Sequence, residues 1–114
     1  MSAEKTVFLD IMGDSPVMRV LDFLIINEEF DYSMTDIAEQ SKVGYSTLKL
    51  FWKRLEEHKL VKQTRAVGKA RMFTLNDANP SVNTLRELYW QITRKKVRQA
   101  LKNRRKETLA HVRA

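Results

Sequence analysis

Four side chains that can hydrogen-bond lie within five residues near the middle of the chain. They are Tyr45, Ser46, Thr47 and Lys49. A lysine can donate to the O6 and N7 acceptors of guanine, and a threonine methyl can contact the methyl of thymine. The chemistry that these residue types support is recognition of base edges, provided that one element presents them together on its surface.

Basic side chains surround this group in the sequence. The candidates for phosphate contacts are Lys42, Lys53, Arg54, Lys62, Arg65, Lys69 and Arg71. Residues 42–71 hold nine basic and two acidic residues, whereas residues 1–41 hold two basic and nine acidic residues. Residues 94–114 hold nine basic and one acidic residue, within a chain of net charge +7. This separation is typical of a protein that binds a polyanion, and the alternative is an ordinary solvated charged surface.

The residue types that most catalytic and metal sites need are scarce. Cysteine is absent, and the only histidines are His58 and His111, without a His-x-x-x-His spacing. The three glycines lie far apart, so no glycine-rich loop can hold a phosphate. The adjacent glutamates at 28–29 and 56–57 are typical of solvated helix ends. We therefore expect no metal, no cofactor and no enzymatic activity.

The length and hydropathy of the chain limit its class. The 114 residues suffice for one domain with one core. No apolar run approaches the roughly 20 residues of a membrane span, and the N-terminus lacks the features of a signal peptide. We expect a cytoplasmic protein without a membrane partner, and the lack of cysteine agrees with a reducing compartment.

Two short helices joined by a turn must present the polar group. Leu48, Phe51, Trp52 and Leu55 follow the spacing i, i+3, i+4 and i+7, which predicts one buried helical face. This helix begins near Gly44 or Tyr45, after a turn at residues 41–44 that follows a first helix containing Ile37 and Ala38. The polar group then lies away from the apolar stripe, at the N-terminal end of the second helix. The alternative is a helix pair from an ordinary all-α core.

A hairpin is predicted directly after this helix. Residues 60–65 and 71–75 favour strands, and the loop at 66–70 contains Gly68. Its basic residues could lie along the sugar-phosphate backbone or enter the minor groove, and the alternative is a solubilising turn. Residues 30–32 form a short extended segment that could pair with the hairpin as a third strand.

Helices are also predicted on both sides of this unit. Ser15 and Pro16 start one helix as cap and first residue, and the apolar residues at 7–12 either close the core or meet a partner subunit. A last helix begins near Pro80, and its core stripe is Val82, Leu85, Leu88, Tyr89 and Ile92. A second stripe, formed by Trp90, Val97 and Leu101, predicts a dimer interface. The alternative is that Trp90 completes the monomer core and the other two residues are incidental.

The order of these elements resembles a winged helix-turn-helix domain of the compact transcriptional regulators of archaea and bacteria, with MarR-like and ArsR-like proteins as broad relatives. The residues that carry the resemblance are Gly13-Asp14-Ser15-Pro16, Phe30-Asp31-Tyr32-Ser33, Asp36-Ile37-Ala38, Thr47-Leu48, Leu55-Glu56-Glu57 and Leu60-Val61-Lys62. The implied fold is mainly α with a small β-hairpin (α+β), a winged helix-turn-helix with an extended C-terminal helix. Two features depart from the family pattern: Gly44 stands where a Ser or Thr cap is usual, and the basic extension is not a general family feature.

The resemblance implies that the second helix of the motif enters the major groove while the wing contacts the backbone. We expect a winged helix-turn-helix domain at residues 1–93 and a basic helical extension or tail at residues 94–114. The first hypothesis is a dimeric transcriptional regulator that reads duplex DNA with residues 44–54 and places the wing, residues 62–71, on the backbone. The alternative is an architectural or protein-interaction module of the chromosome, partition or transcription machinery that binds nucleic acid nonspecifically through its tail. Neither hypothesis identifies a small-molecule effector.

Overall fold

Helices and strands follow the predicted order in the computed structural model, which describes the backbone of residues 5–113 and the side chains of residues 5–108. Within these residues the elements are α1 (Val7–Met12), α2 (Pro16–Ile26), β1 (Tyr32–Ser33), α3 (Met34–Ser41), α4 (Tyr45–Glu57), β2 (Val61–Val67), β3 (Ala70–Leu75) and α5 (Pro80–Arg113). The prediction of a mainly helical winged helix-turn-helix with an extended last helix is therefore confirmed.

Helix starts are set by short polar side chains. The Ser15 hydroxyl accepts a hydrogen bond from the Met18 N–H at 3.3 Å, and Pro16 occupies the first position of α2. The Ser33 hydroxyl accepts from the Asp36 N–H at 3.1 Å and caps α3. By contrast, Gly44 precedes α4 without a side-chain cap, as its residue type predicted.

The corner between α3 and α4 is tight because its backbone turns in the left-handed region. Lys42 has a φ of 59°, and its N–H bonds to the carbonyls of Ala38 and Glu39. The N–H of Val43 also bonds to the Ala38 carbonyl, at 2.9 Å, and the Val43 side chain is buried. These contacts fix the direction in which α4 leaves the corner.

Three antiparallel strands form the wing sheet in the order β1-β3-β2. Tyr32 lies opposite Phe73, so the predicted third strand is confirmed. The hairpin is longer than predicted, because Val67 pairs with Ala70 and only residues 68–69 form the turn. Gly68 supplies the positive φ of 61° that this short turn needs.

The core joins α4 to the rest of the domain through its predicted apolar face. Leu48, Phe51, Trp52 and Leu55 are all buried. The Trp52 and Phe73 rings meet edge to face with centroids 5.1 Å apart, which joins α4 to β3. The opposite face of α4 is thereby turned to solvent.

The N-terminal helix packs on α5 inside the same chain. Phe8 is fully buried against Tyr89, with ring centroids 5.1 Å apart, so the packing alternative for residues 7–12 holds for this residue. The buried Asp22 carboxylate accepts from the Tyr89 hydroxyl at 2.8 Å and from the Thr6 hydroxyl at 2.6 Å. Burial first, and then the hydrogen bond to Asp22, raise the pKa of Tyr89 above its ordinary value. These bonds tie α1, α2 and α5 together.

The last helix continues without a break well beyond the residues that pack on the core. Its 34 residues correspond to a length of about 51 Å. Val82 and Tyr89 are buried, but Leu88 is 41% exposed, so its place in the predicted core stripe was wrong. Leu88 lies at the edge of the stripe, where no element of the described chain covers it fully. Every side chain from Arg94 to Thr108 is exposed, and the side chains of residues 109–114 lie outside the described part. None of the described helices combines the length and apolar character that crossing a membrane requires.

Candidate nucleic-acid interface

Of the four predicted base-contacting residues, Ser46 lies on the solvent side of α4, and Tyr45, Thr47 and Lys49 lie nearer its flanks. Successive residues of a helix are 100° apart, so Ser46, Leu50 and Lys53 lie directly opposite the buried stripe. Tyr45 is 47% exposed, Ser46 and Lys49 are exposed, and Thr47 is half-buried. None of the four is sealed inside the described part of the chain.

One edge of this α4 surface faces the wing. The Lys49 ammonium lies 5.7 Å from the centroid of the Tyr45 ring, in a cation–π geometry. Tyr45, Lys69 and Arg71 line one cleft of about 260 Å³ between the start of α3, the start of α4 and the wing. The structure thus brings one predicted base contact together with two predicted phosphate contacts.

Three of the predicted phosphate contacts are engaged with carboxylates of the same chain. Arg65 donates to Asp31 from Nε at 2.9 Å and from Nη2 at 3.1 Å. The Lys62 Nζ lies 2.9 Å from Asp77 Oδ1, and the Arg71 Nη2 lies 3.1 Å from Glu56 Oε2. An exposed pair held by one contact, such as Lys62 with Asp77, contributes only about 0–1 kcal/mol. Arg65 is held more firmly, because two hydrogen bonds join it to an Asp31 side chain that is only 16% exposed.

The other predicted phosphate contacts make no ion pair within the described residues. They are Lys42, Lys53, Arg54 and Lys69, all of them exposed. Lys42 is held at the helix corner, because its carbonyl accepts from Arg19 Nη1 at 2.8 Å. These four side chains flank the exposed surface of α4 and occupy the wing tip.

Lys62 lies apart from the other candidates. It lines a separate groove at the base of the wing, together with Glu28, Glu29 and Asp77. Arg86 also lines this groove and pairs with Glu28 at 2.6 Å, so the two cations of the groove are both engaged by carboxylates. The sequence placed Lys62 beside the wing cations, but it pairs with Thr74 near the start of β2, whereas the wing tip lies at the other end of that strand.

The pKa of Asp31 provides a test of the Arg65 ion pair. The hydrogen bond from Arg65, followed by that from Thr64, lowers the pKa of Asp31 from 3.8 to about 2. A lowered pKa in the folded state contributes stability that is complete above pH 3.8 and is lost as the pH falls towards 2. We expect Arg65→Ala to return the pKa towards its ordinary value, as measured by carboxyl-carbon NMR titration. Lys62→Ala is the control, and an unchanged Asp31 pKa in Arg65→Ala would contradict this pairing.

Sequence reasoning missed two features of the surface. Leu50 is 78% exposed at the centre of the α4 face, although its position 200° from Leu48 on the helix could have indicated this. Ser33 and Thr35, at the start of α3, line the cleft with Tyr45 and Lys69, and nothing local in the sequence indicated that contact. Within the described residues, no group of three or more His, Asp or Glu side chains is placed to hold a metal ion.

The three residues of the predicted dimer stripe on α5 differ in burial. Trp90 is half-buried, packs against the core and meets the Tyr89 ring at a centroid distance of 4.9 Å. Val97 and Leu101 are 52% and 59% exposed, beyond the last packing contacts of the domain. Trp90 therefore serves the monomer core at least in part, while Val97 and Leu101 have no partner in the described chain.

Comparisons with known proteins agree with this architecture. The family model described as TFIIE alpha subunit matches residues 3–114. No curated protein matches the chain significantly. The solved structure of MepR, a transcription regulator of the Staphylococcus aureus multidrug efflux pump MepA, is 16% identical with a TM-score of 0.58, over 91% of this chain and 81% of that chain.

Two further solved structures share the fold. The zinc-responsive MarR family member ZitR of Lactococcus lactis is 17% identical with a TM-score of 0.55, over 82% of this chain and 69% of that chain. The transcriptional repressor CouR, bound to a 23-mer DNA duplex, is 17% identical with a TM-score of 0.55, over 92% of this chain and 78% of that chain. These three solved structures share the winged-helix fold with this chain.

Proposed function

The chain belongs to the TFIIE alpha subunit family, and from this premise we propose that it is a transcriptional regulator that binds duplex DNA as a dimer. In this proposal α4 enters the major groove and the wing tip contacts the sugar-phosphate backbone. The observation that carries the proposal is the set of cations around the exposed face of α4 that make no ion pair with a described residue. Such a surface is electrostatically suited to a polyanion.

Each part of this surface has its own role in the proposal. Tyr45, Ser46, Thr47 and Lys49 contact base edges from the first turns of α4, where winged helices and other helix-turn-helix proteins read the major groove. Lys42, Lys53, Arg54 and Lys69 contact phosphates directly, and they set the register without reading sequence. Arg65 and Arg71 contribute only after exchanging a carboxylate for a phosphate, whereas Lys62, which pairs with Asp77 in a separate groove, lies outside the proposed contact surface.

Likeness to a DNA-bound repressor supports the proposal at the level of fold. CouR is described as bound to a DNA duplex, and its winged helix matches this chain. Because one fold can host several functions, the proposal rests on the charged surface of α4 and the wing rather than on that likeness.

Dimerisation through α5 is part of the proposal. Val97 and Leu101 offer exposed apolar side chains, and Trp90 lies at the border between them and the core. For two copies of α4 to enter successive major grooves, the dimer would have to hold them about 34 Å apart, with half-sites one helical turn apart. The expected target is therefore a palindrome.

Lys49→Ala and Lys69→Ala should change duplex binding in different ways. Lys49→Ala should relax the base preference at one position, because a lysine contact to guanine is worth about 1–3 kcal/mol of discrimination. Lys69→Ala should weaken all duplexes alike, because it removes a phosphate contact. Dissociation constants for matched and mismatched duplexes, measured at one fixed salt concentration, distinguish the two roles. Equal behaviour of the two variants would contradict this assignment.

Selection of bound duplexes from a random pool is the experiment that tests the proposed function. The expected result is an enriched palindrome, with a dimeric mass measured in solution by sedimentation equilibrium. Recovery of unrelated sequences by the chain would reject sequence-selective regulation. A monomeric mass at concentrations that saturate the palindrome would reject dimerisation through α5.

A second candidate function is supported by the charge on the α5 extension. Within residues 94–108 eight of the side chains are basic, all of them are exposed, and none of them makes an ion pair with a described residue. The wing, by contrast, has three of its cations neutralised. An architectural module that binds nucleic acid nonspecifically through this extension is therefore the alternative.

A full-length variant with these eight cations changed to glutamine separates the two functions. The regulator hypothesis predicts that the variant keeps its preference for the selected palindrome while binding every duplex more weakly. The architectural hypothesis predicts that binding to all duplexes collapses together. Helix content from circular dichroism verifies that the variant remains folded.

A further inference from the structure

Leu50 is the most exposed large apolar side chain among the described residues. It is 78% exposed and projects from the centre of the solvent face of α4. It makes no contribution to the core, which the other side of α4 supplies through Leu48 and Phe51. A single exposed leucine is common on protein surfaces, so its meaning depends on its neighbours.

Polar and cationic residues surround Leu50 on the helix surface. The positions one turn before and one turn after it are Ser46, Thr47, Lys53 and Arg54, which are its i−4, i−3, i+3 and i+4 neighbours. The apolar contact area is therefore limited to one side chain. An apolar protein partner would need a larger continuous patch, whereas an isolated apolar group within a cationic surface suits the edge of a base pair flanked by phosphates.

The chemistry of the major groove offers one apolar group to such a side chain. The C5 methyl of thymine is exposed there, and it is the group that distinguishes thymine from uracil. Leu50 is the sixth residue of α4, in the second helical turn, beside the predicted base contacts at 45–49. We propose that Leu50 contacts a thymine methyl and thereby sets a preference for an A·T pair at one position of each half-site. This inference rests on the proposed function.

A thymine-to-deoxyuridine scan of the selected duplex tests the proposal. Each thymine is replaced in turn, symmetrically in the two half-sites, and the dissociation constant is measured by fluorescence anisotropy for the full-length chain. Loss of one buried methyl corresponds to about a fourfold weaker dissociation constant in each half-site, so replacement in both half-sites should weaken binding of the dimer about 16-fold. We expect one position to show this loss with the natural chain and no loss with Leu50→Ala.

Two variants make the result specific to Leu50. Leu50→Ala preserves helix propensity and alters an exposed side chain, so it should fold normally. Lys53→Ala, three residues further along the same face, should weaken both the thymine and the deoxyuridine duplexes and keep the about 16-fold difference between them. This combination separates methyl recognition from a general loss of affinity.

The outcomes separate this inference from the proposed function. A methyl effect that disappears in Leu50→Ala supports the inference. An enriched duplex in which no methyl effect depends on Leu50 overturns the inference and leaves the proposed function standing. Failure of the chain to prefer any duplex overturns both.

Discussion

Raising the salt concentration from about 50 to about 200 mM should weaken binding of the selected duplex on the order of 10³–10⁵-fold, for a dimer that contacts roughly 6–10 phosphates. Each copy presents four predicted phosphate contacts that make no ion pair with a described residue, namely Lys42, Lys53, Arg54 and Lys69. A dimer would thus present eight. Their contact with phosphates releases condensed counterions, and added salt opposes that release.

Anisotropy titrations at a series of salt concentrations measure this dependence. Lys69→Ala should reduce the slope of log K against log salt by about 1 for each copy that loses the contact. Lys5→Ala is the matched control, because this exposed lysine lies in the acidic N-terminal part of the chain, beside Asp14. An affinity that is independent of salt would exclude a phosphate-based interface.

Trp52→Ala should have the largest effect on stability, with a loss of about 3–5 kcal/mol in the free energy of unfolding. Trp52 is almost completely buried, and its ring joins α4 to β3 through Phe73 at a centroid distance of 5.1 Å. Because small domains are stable by only about 5–15 kcal/mol, much of this protein's stability would be lost. Urea denaturation followed by circular dichroism measures the change, and a loss below about 1 kcal/mol would contradict this role of Trp52.

Trp52→Phe is the control for this experiment. It preserves an aromatic contact with Phe73 and removes the buried indole Nε1, which has no hydrogen-bond partner among the described residues. The expected loss is smaller than for alanine, because removal of an unpaired donor offsets part of the lost contact area. If alanine and phenylalanine destabilise equally, the aromatic pair is not what joins α4 to the wing.

Helix positions and the buried face of α4 could be predicted from the sequence because their causes are local. The spacing of Leu48, Phe51 and Leu55 follows from the helical repeat, and Ser15 caps a helix through an N–H only three residues away. A short third strand beside the hairpin was also predicted, at residues 30–32, and it forms at Tyr32–Ser33. The wing turn was placed less well, because the ends of paired strands depend on cross-strand bonds such as that between Val67 and Ala70.

Only the tertiary structure decided which predicted cations remain available for phosphates. Arg65 meets Asp31 across 34 residues of sequence, and Lys62 meets Asp77 across 15. Such pairs depend on how the wing folds against β1 and α5, and no local pattern encodes that contact. Composition and the helical repeat determined that the chain would carry a basic surface on one helix. The packing of distant segments determined which of these basic side chains pair with a carboxylate among the described residues. The reason is that electrostatic pairing depends on distance in space rather than on distance along the chain.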